Sequence, residues 1–95
     1  MKKLSEAEIQ AKLQNLEGWE YADQAIHTSF VFENFKEAWA SMTRIAFEAE
    51  IQGHHPDWSN VYNELNISLS THDADGVTEK DFKLAKTIEE ILGGE

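Results

Sequence analysis

Residues 53–72 read GHHPDWSNVYNELNISLSTH, and the way this stretch divides decides the fold. Gly53 and Pro56 both stop helices, so a helix arriving from upstream ends here and His54 and His55 fall in a loop just past its C-terminus. Trp58 to Tyr62 is aromatic and β-branched enough for a strand. Leu65, Ile67 and Leu69 then alternate with Asn66, Ser68 and Ser70, the period-two pattern of a strand with one buried face. The two segments make a hairpin. It ends at Thr71-His72, and Asp73-Ala74-Asp75-Gly76 forms a loop.

Upstream, Phe35, Ala38, Trp39, Met42, Ile45, Ala46 and Ala49 recur at helical spacing and predict one wide apolar face, with Asn34 as cap and Glu37 three residues on. Ile26, Thr28, Phe30 and Phe32 alternate with His27, Ser29 and Val31. This strand pairs with a short one at Trp19-Glu20-Tyr21 across an Asp23-Gln24 turn. A first helix starts at Ser5-Glu6-Ala7-Glu8, a capping box flanked by the Leu4 and Ile9 staple. Its stripe is Ile9, Leu13 and Leu16, and Gly18 is its expected stop. Downstream, Thr78 to Asp81 is another capping box with Val77 and Phe82 as staple. Phe82, Ala85, Ile88 and Leu92 make the buried stripe of the last helix, closed by Gly93-Gly94.

The order is α-β-β-α-β-β-α, an α+β protein with an antiparallel sheet covered by helices on one face. The other face is polar at Ser29, Asn66, Ser68 and Ser70, and so meets water or lines a site. Neither linker nor repeat interrupts the chain, and residues 1–95 read as a single domain.

Ninety-five residues carry a formal charge of −10 and no cysteine. A core of this size is modest. The missing cysteine excludes a disulfide scaffold, a thiolate metal site and a Cys nucleophile. A pI near 4.7 argues against direct nucleic-acid binding, which needs clustered Lys and Arg. No apolar run is long enough for a membrane span. The opening MKKLSEAEIQ has lysines with no apolar stretch behind them, so it is not read as a signal peptide, and a cytoplasmic location is expected by elimination.

Charge is distributed unevenly. No Lys or Arg occurs between Ile45 and Glu79, whereas that stretch holds His54, His55 and His72 among several acids. Histidine is the side chain best suited to give and take protons near neutral pH. A dehydration or tautomerisation needs one group to protonate a leaving hydroxyl while another removes a proton. The surrounding acids are expected to favour charged imidazoles and to repel an anionic substrate. Two readings stay open on the residues alone: a proton-transfer site, or a solvated His-His-Pro turn.

Glu50-x-x-x-His54-His55-Pro56, followed at set spacing by Tyr62, His72 and Asp81, resembles the signature of the pterin-4a-carbinolamine dehydratases. The flanks are similar too: Gly18-Trp19, Phe30 to Phe35 with Ala38-Trp39, Met42-Thr43-Arg44-Ile45-Ala46, Asn60-Val61-Tyr62-Asn63 and Leu69-Ser70-Thr71-His72. The likeness covers residues 4–92. Ser41 and Ser59 depart from it, standing where many members carry an aromatic residue.

The resemblance implies a four-stranded antiparallel sheet with three helices packed on one face. It implies dehydration of a 4a-hydroxytetrahydropterin to the quinonoid dihydropterin, in tetrahydropterin recycling, with no metal or other cofactor. His54 and His72 would be the acid–base pair, with His55 assisting or binding substrate. Glu50 and Asp81 would orient the histidines, Trp58 would offer an aromatic surface to the ring, and Ser70 and Thr71 would make polar contacts. On structural grounds alone, Asp81 also reads as a helix cap, Trp58 as core, Ser70 and Thr71 as ordinary strand residues, and His27 as structural or surface. A homodimer or homotetramer is expected, together with a functional link to an aromatic amino-acid hydroxylase.

Two other classes compete. Three histidines with Asp73, Asp75 or Asp81 contain enough donors for a metal, but no pair has helical His-x-x-x-His spacing, and metal binding is not expected. The family resemblance also implies an alternative without turnover: a pterin-binding or protein-interaction module, either coactivator-like through a homeodomain transcription factor or related to molybdopterin enzymes.

Overall fold

The computed structural model describes residues 2–93. Helix α1 spans Glu6–Leu13. Ser5 Oγ accepts from the Glu8 amide at 3.1 Å while Glu8 Oε1 accepts from the Ser5 amide at 2.8 Å, so the expected capping box is complete. The helix does not reach Gly18. Gln14, Asn15 and Leu16 each bond back three residues, to Ala11, Lys12 and Leu13, and these tight turns satisfy the terminal carbonyls early. Gly18, at φ +91°, then turns the chain, and its carbonyl accepts from Thr28 Oγ1 at 2.7 Å.

Strands β1 (Glu20–Ala22) and β2 (Ala25–Val31) form the first hairpin. Asp23 and Gln24 both have positive φ, the twist a two-residue hairpin loop needs. Helix α2 spans Phe35–Gln52, and Asn34 Oδ1 caps it from 2.9 Å. Strands β3 (Asp57–Val61) and β4 (Glu64–Leu69) follow, and α3 spans Glu79–Gly93. Gly94, expected to help end α3, lies outside the described residues. The loop expected at Asp73–Gly76 contains a short 3-10 turn over His72–Ala74, closed by a bridge between Thr71 and Gly76.

The sheet is four-stranded and antiparallel, in the order β1-β2-β4-β3. Its register places Ile26 against Leu69, Thr28 against Ile67 and Phe30 against Leu65 on one face. Ile26, Leu65, Ile67 and Leu69 are buried beneath Met42, Ile45 and Ala49 of α2, Leu84, Ala85 and Ile88 of α3, and Ile9 of α1. Each fully buried Ile or Leu contributes about 1.5–3 kcal/mol, so this one face supplies most of the drive to fold. Trp19 joins it, its Nε1–H donating to Glu89 Oε2 at 2.7 Å and tying the start of β1 to α3. The opposite face carries His27, Ser68 and Asp57 side by side, and among the described residues the helices pack on the other face.

The face of α2 divides in two. Ala38, Met42, Ile45 and Ala49 are buried, whereas Phe35, Trp39, Phe47 and Ile51 are 47%, 56%, 67% and 76% exposed. The expected wide apolar face is present, but the sheet and α3 cover only its Ala38–Ala49 stripe. Residues 35, 39, 47 and 51 lie on a separate row of fourfold spacing.

Candidate active site

His54 is launched by the end of α2. Gly53 adopts φ +66°, the left-handed conformation that terminates helices, and the His54 amide bonds back to the Ala49 carbonyl at 3.0 Å. Pro56 then enters β3. His72 begins the 3-10 turn that follows β4. Because β3 and β4 are antiparallel neighbours, the start of one lies beside the end of the other, so the two histidine loops meet at one end of this strand pair.

There they wall an open cavity of about 510 Å³, in the range of small-molecule sites. His54, His55, His72, Ser70, Thr71 and Lys80 line it. A smaller hollow adjoins it on the open sheet face. His55, Ser70 and His72 line both, and His27 and Ser68 line the hollow. His27, read from sequence as structural or surface, is held at both ring nitrogens, by Ser68 Oγ at 2.7 Å and the Ala22 carbonyl at 2.9 Å.

The two expected carboxylates each hold a histidine. Asp81 is fully buried, and His54 Nε2 lies 2.5 Å from its Oδ1. Asp81 Oδ2 accepts from Thr71 Oγ1 at 2.9 Å and from the Thr78 amide at 2.9 Å. Glu50 Oε1 lies 2.8 Å from His55 Nε2, in an exposed pair. An ionised carboxylate only accepts, so each histidine donates from Nε2, and in the neutral ring Nδ1 is then the acceptor. His54 Nδ1 has no hydrogen-bond partner among the described residues, although the side chain is only 11% exposed. His72 is exposed, and its ring likewise has no side-chain partner among them.

Two expected contact residues behave differently. Trp58 pairs with Ile67 on the helix-facing side of the sheet and packs against the core. It does not line the cavity, because its place in β3 points it inward. Thr71 borders the cavity but is buried, and its hydroxyl is committed to Asp81 and Thr78, so it offers no free hydroxyl contact. Ser70 does line the cavity.

Sequence reasoning missed Lys80, the cation on the cavity wall. It directly follows the stretch without Lys or Arg, and its neighbour Asp81 points into the network. The available signal was its position in the first turn of the helix that carries Asp81. Among the described residues no three His, Asp or Glu side chains are grouped as a metal site requires.

Along nearly its whole length the chain is similar to known proteins. The family profile described as "Pterin 4 alpha carbinolamine dehydratase" matches residues 2–91. Proteins named "Putative pterin-4-alpha-carbinolamine dehydratase" include one from Christiangramia forsetii, 73% identical over 92 residues, with 97% of this chain and 95% of that one covered. Another, from Mesorhizobium japonicum, is 51% identical over 94 residues, covering 97% and 96%. The crystal structure of a "transcriptional coactivator/pterin dehydratase" from Brucella melitensis is 40% identical, with a TM-score of 0.94 over 97% of this chain and all of that one. A pterin dehydratase-like RuBisCO assembly factor of the alpha-carboxysome, 18% identical with a TM-score of 0.66 over 79% and 87%, shares the fold.

Proposed function

Because the chain belongs to the pterin 4 alpha carbinolamine dehydratase family, we propose that it dehydrates a 4a-hydroxytetrahydropterin to the quinonoid dihydropterin. The observation that carries this reading is the buried Asp81–His54 pair opening onto the cavity that His55 and His72 share. In the reaction the C4a–O bond breaks and an N5=C4a double bond forms. The N5 proton passes to a base, and an acid delivers a proton to the departing hydroxyl, which leaves as water. His54 is suited to be the base: its Nε2–H is spent on Asp81 and Nδ1 is free. His72 is the proposed acid. His55, steadied by Glu50, binds or assists, and Ser70 offers a polar contact. Each proton-transfer group is worth about 10²–10⁴-fold in rate.

The reading extends to the setting: a tetrahydrobiopterin-type substrate, recycling for an aromatic amino-acid hydroxylase, and a cytoplasmic location, each checked by substrate profiling, co-occurrence in extracts and fractionation. The primary test supplies 4a-hydroxytetrahydropterin and follows loss of its ultraviolet band. Acceleration over the spontaneous rate supports the dehydratase. No acceleration, with pterin binding or protein partners that survive His54→Ala, supports the interaction or pterin-binding module instead.

We further propose that the chain self-associates through α2. The exposed row supports this, because large apolar patches on a monomer mark interaction surfaces. Its pattern is nearly symmetric about Thr43. In an antiparallel pair of α2 helices crossing there, Phe35 faces Ile51, Trp39 faces Phe47 and Lys36 faces Glu50. Such self-complementarity is what a two-fold interface requires. Phe35 and Trp39 are already stacked, with ring centroids 6.4 Å apart.

A further inference from the structure

Thr78 is completely buried just ahead of α3, and as a helix cap it would need only an oxygen to accept from the Lys80 amide, which it does at 3.2 Å. Its hydroxyl does more. Thr78 Oγ1 lies 2.7 Å from Thr71 Oγ1, and Thr71 Oγ1 lies 2.9 Å from Asp81 Oδ2. Each hydroxyl has one proton to give. An ionised Asp81 can only accept, so the Thr71 proton points to Asp81; reversed, two oxygen lone pairs would face each other at that distance. The proton between the threonines therefore belongs to Thr78. The sense of the chain is fixed from the Lys80 amide through Thr78 and Thr71 to Asp81.

We propose that Thr78 is a positioning residue for the acid–base site. Its hydroxyl, acting through Thr71, locks the Asp81 carboxylate in one rotation and so holds His54 in the tautomer with the proton on Nε2 and a bare Nδ1. Oδ2 is occupied by the Thr71 hydroxyl and the Thr78 amide, which leaves Oδ1 for His54. Hydrogen bonds in such a series polarise one another, so removing the first weakens the last. The same residue thereby couples the start of α3 to the state of His54. This inference rests on His54 acting as the base.

The test compares wild type with Thr78→Val, which keeps the shape, Thr78→Gly, which keeps a tolerable helix start, and Thr78→Ser, which keeps the hydroxyl. Nitrogen-15 NMR reads the His54 tautomer, and turnover of 4a-hydroxytetrahydropterin is measured on the folded fraction. The expected result is an Nε2–H tautomer in wild type and Ser, mixed tautomers in Val and Gly, and kcat in those two lower by about tenfold with KM unchanged, the lower end of the loss seen when a partner that orients a metal-bound histidine is removed. Val and Gly variants that lose stability alone, with His54 tautomer and kcat intact, would overturn the proposal, as would an Nδ1–H tautomer in wild type. If wild type gives no turnover, the dehydratase reading fails while the tautomer comparison still decides the role of Thr78.

Discussion

His54 Nε2 lies 2.5 Å from Asp81 Oδ1, although 27 residues separate them in the chain. The contact exists because Gly53 turns the end of α2 toward the first turn of α3, where Asp81 is also the residue that reaches back to the Thr78 amide. One carboxylate thus caps a helix and orients a histidine.

Asp81→Asn should separate geometry from charge. The amide nitrogen would face a donor, leaving a buried group unpaired at a cost of about 1–3 kcal/mol. Turnover should fall by at least about 10–100-fold, the scale on which losing a carboxylate that orients a metal-bound histidine acts. Urea unfolding and kcat measured together check this; a destabilised protein with full kcat would remove Asp81 from the site.

Gly53→Ala tests the launch of His54. A Cβ there meets nothing within 4 Å, so the cost comes from the left-handed backbone at φ +66° rather than from crowding. The expected destabilisation is about 1–2 kcal/mol, with a lower kcat because the strained turn relaxes and moves His54. Denaturant titration and turnover read the two effects.

Sedimentation velocity tests the α2 surface. Wild type should sediment as a dimer or larger, and Trp39→Asp, placing a charge opposite Phe47 of a second copy, should shift it to monomer. Trp39 is more than half exposed in the single chain, so the fold should persist. A monomeric wild type, or an unchanged assembly in Trp39→Asp, contradicts the symmetric pairing.

Much of this was legible where the signal is local. Ser5, Asn34 and Thr78 announced helix starts because a cap needs only residues within one turn. The alternation at Leu65, Ile67 and Leu69 announced β4 because every second residue meets the same core. The histidine set was visible as spacing. What escaped depended on partners far along the chain. Periodicity alone could not divide the α2 face, since Ala38 and Trp39 are neighbours on one apolar face and only the elements packed across from it cover one and leave the other exposed. Trp58 looked equally fit for ring stacking or core, and the register against Ile67 turned it inward. The direction of the Thr71 hydroxyl required the position of Asp81, which no pattern near residue 71 contains.

Acid stability offers a check remote from the site. Glu8 is held below its ordinary value of 4.5, chiefly by the Ser5 amide and then by the Ser5 hydroxyl. A carboxylate lowered on folding stabilises fully above its unfolded value, and that contribution is lost as pH falls through the lower folded value. Glu8→Gln should therefore be less stable than wild type near neutrality, with the gap closing below about pH 4.5. Thermal melts across that window check it; a gap that widens as pH falls would contradict the capping-box assignment.

The central claim is that the paired histidine loops perform the dehydration. The most direct measurement is loss of the 4a-hydroxytetrahydropterin ultraviolet band with wild type, His54→Ala and His72→Ala, each confirmed as folded. The account predicts clear acceleration by wild type and a drop of about 10²–10⁴-fold in each variant. A wild type no faster than the spontaneous reaction, or variants that turn over as well as wild type, would contradict it.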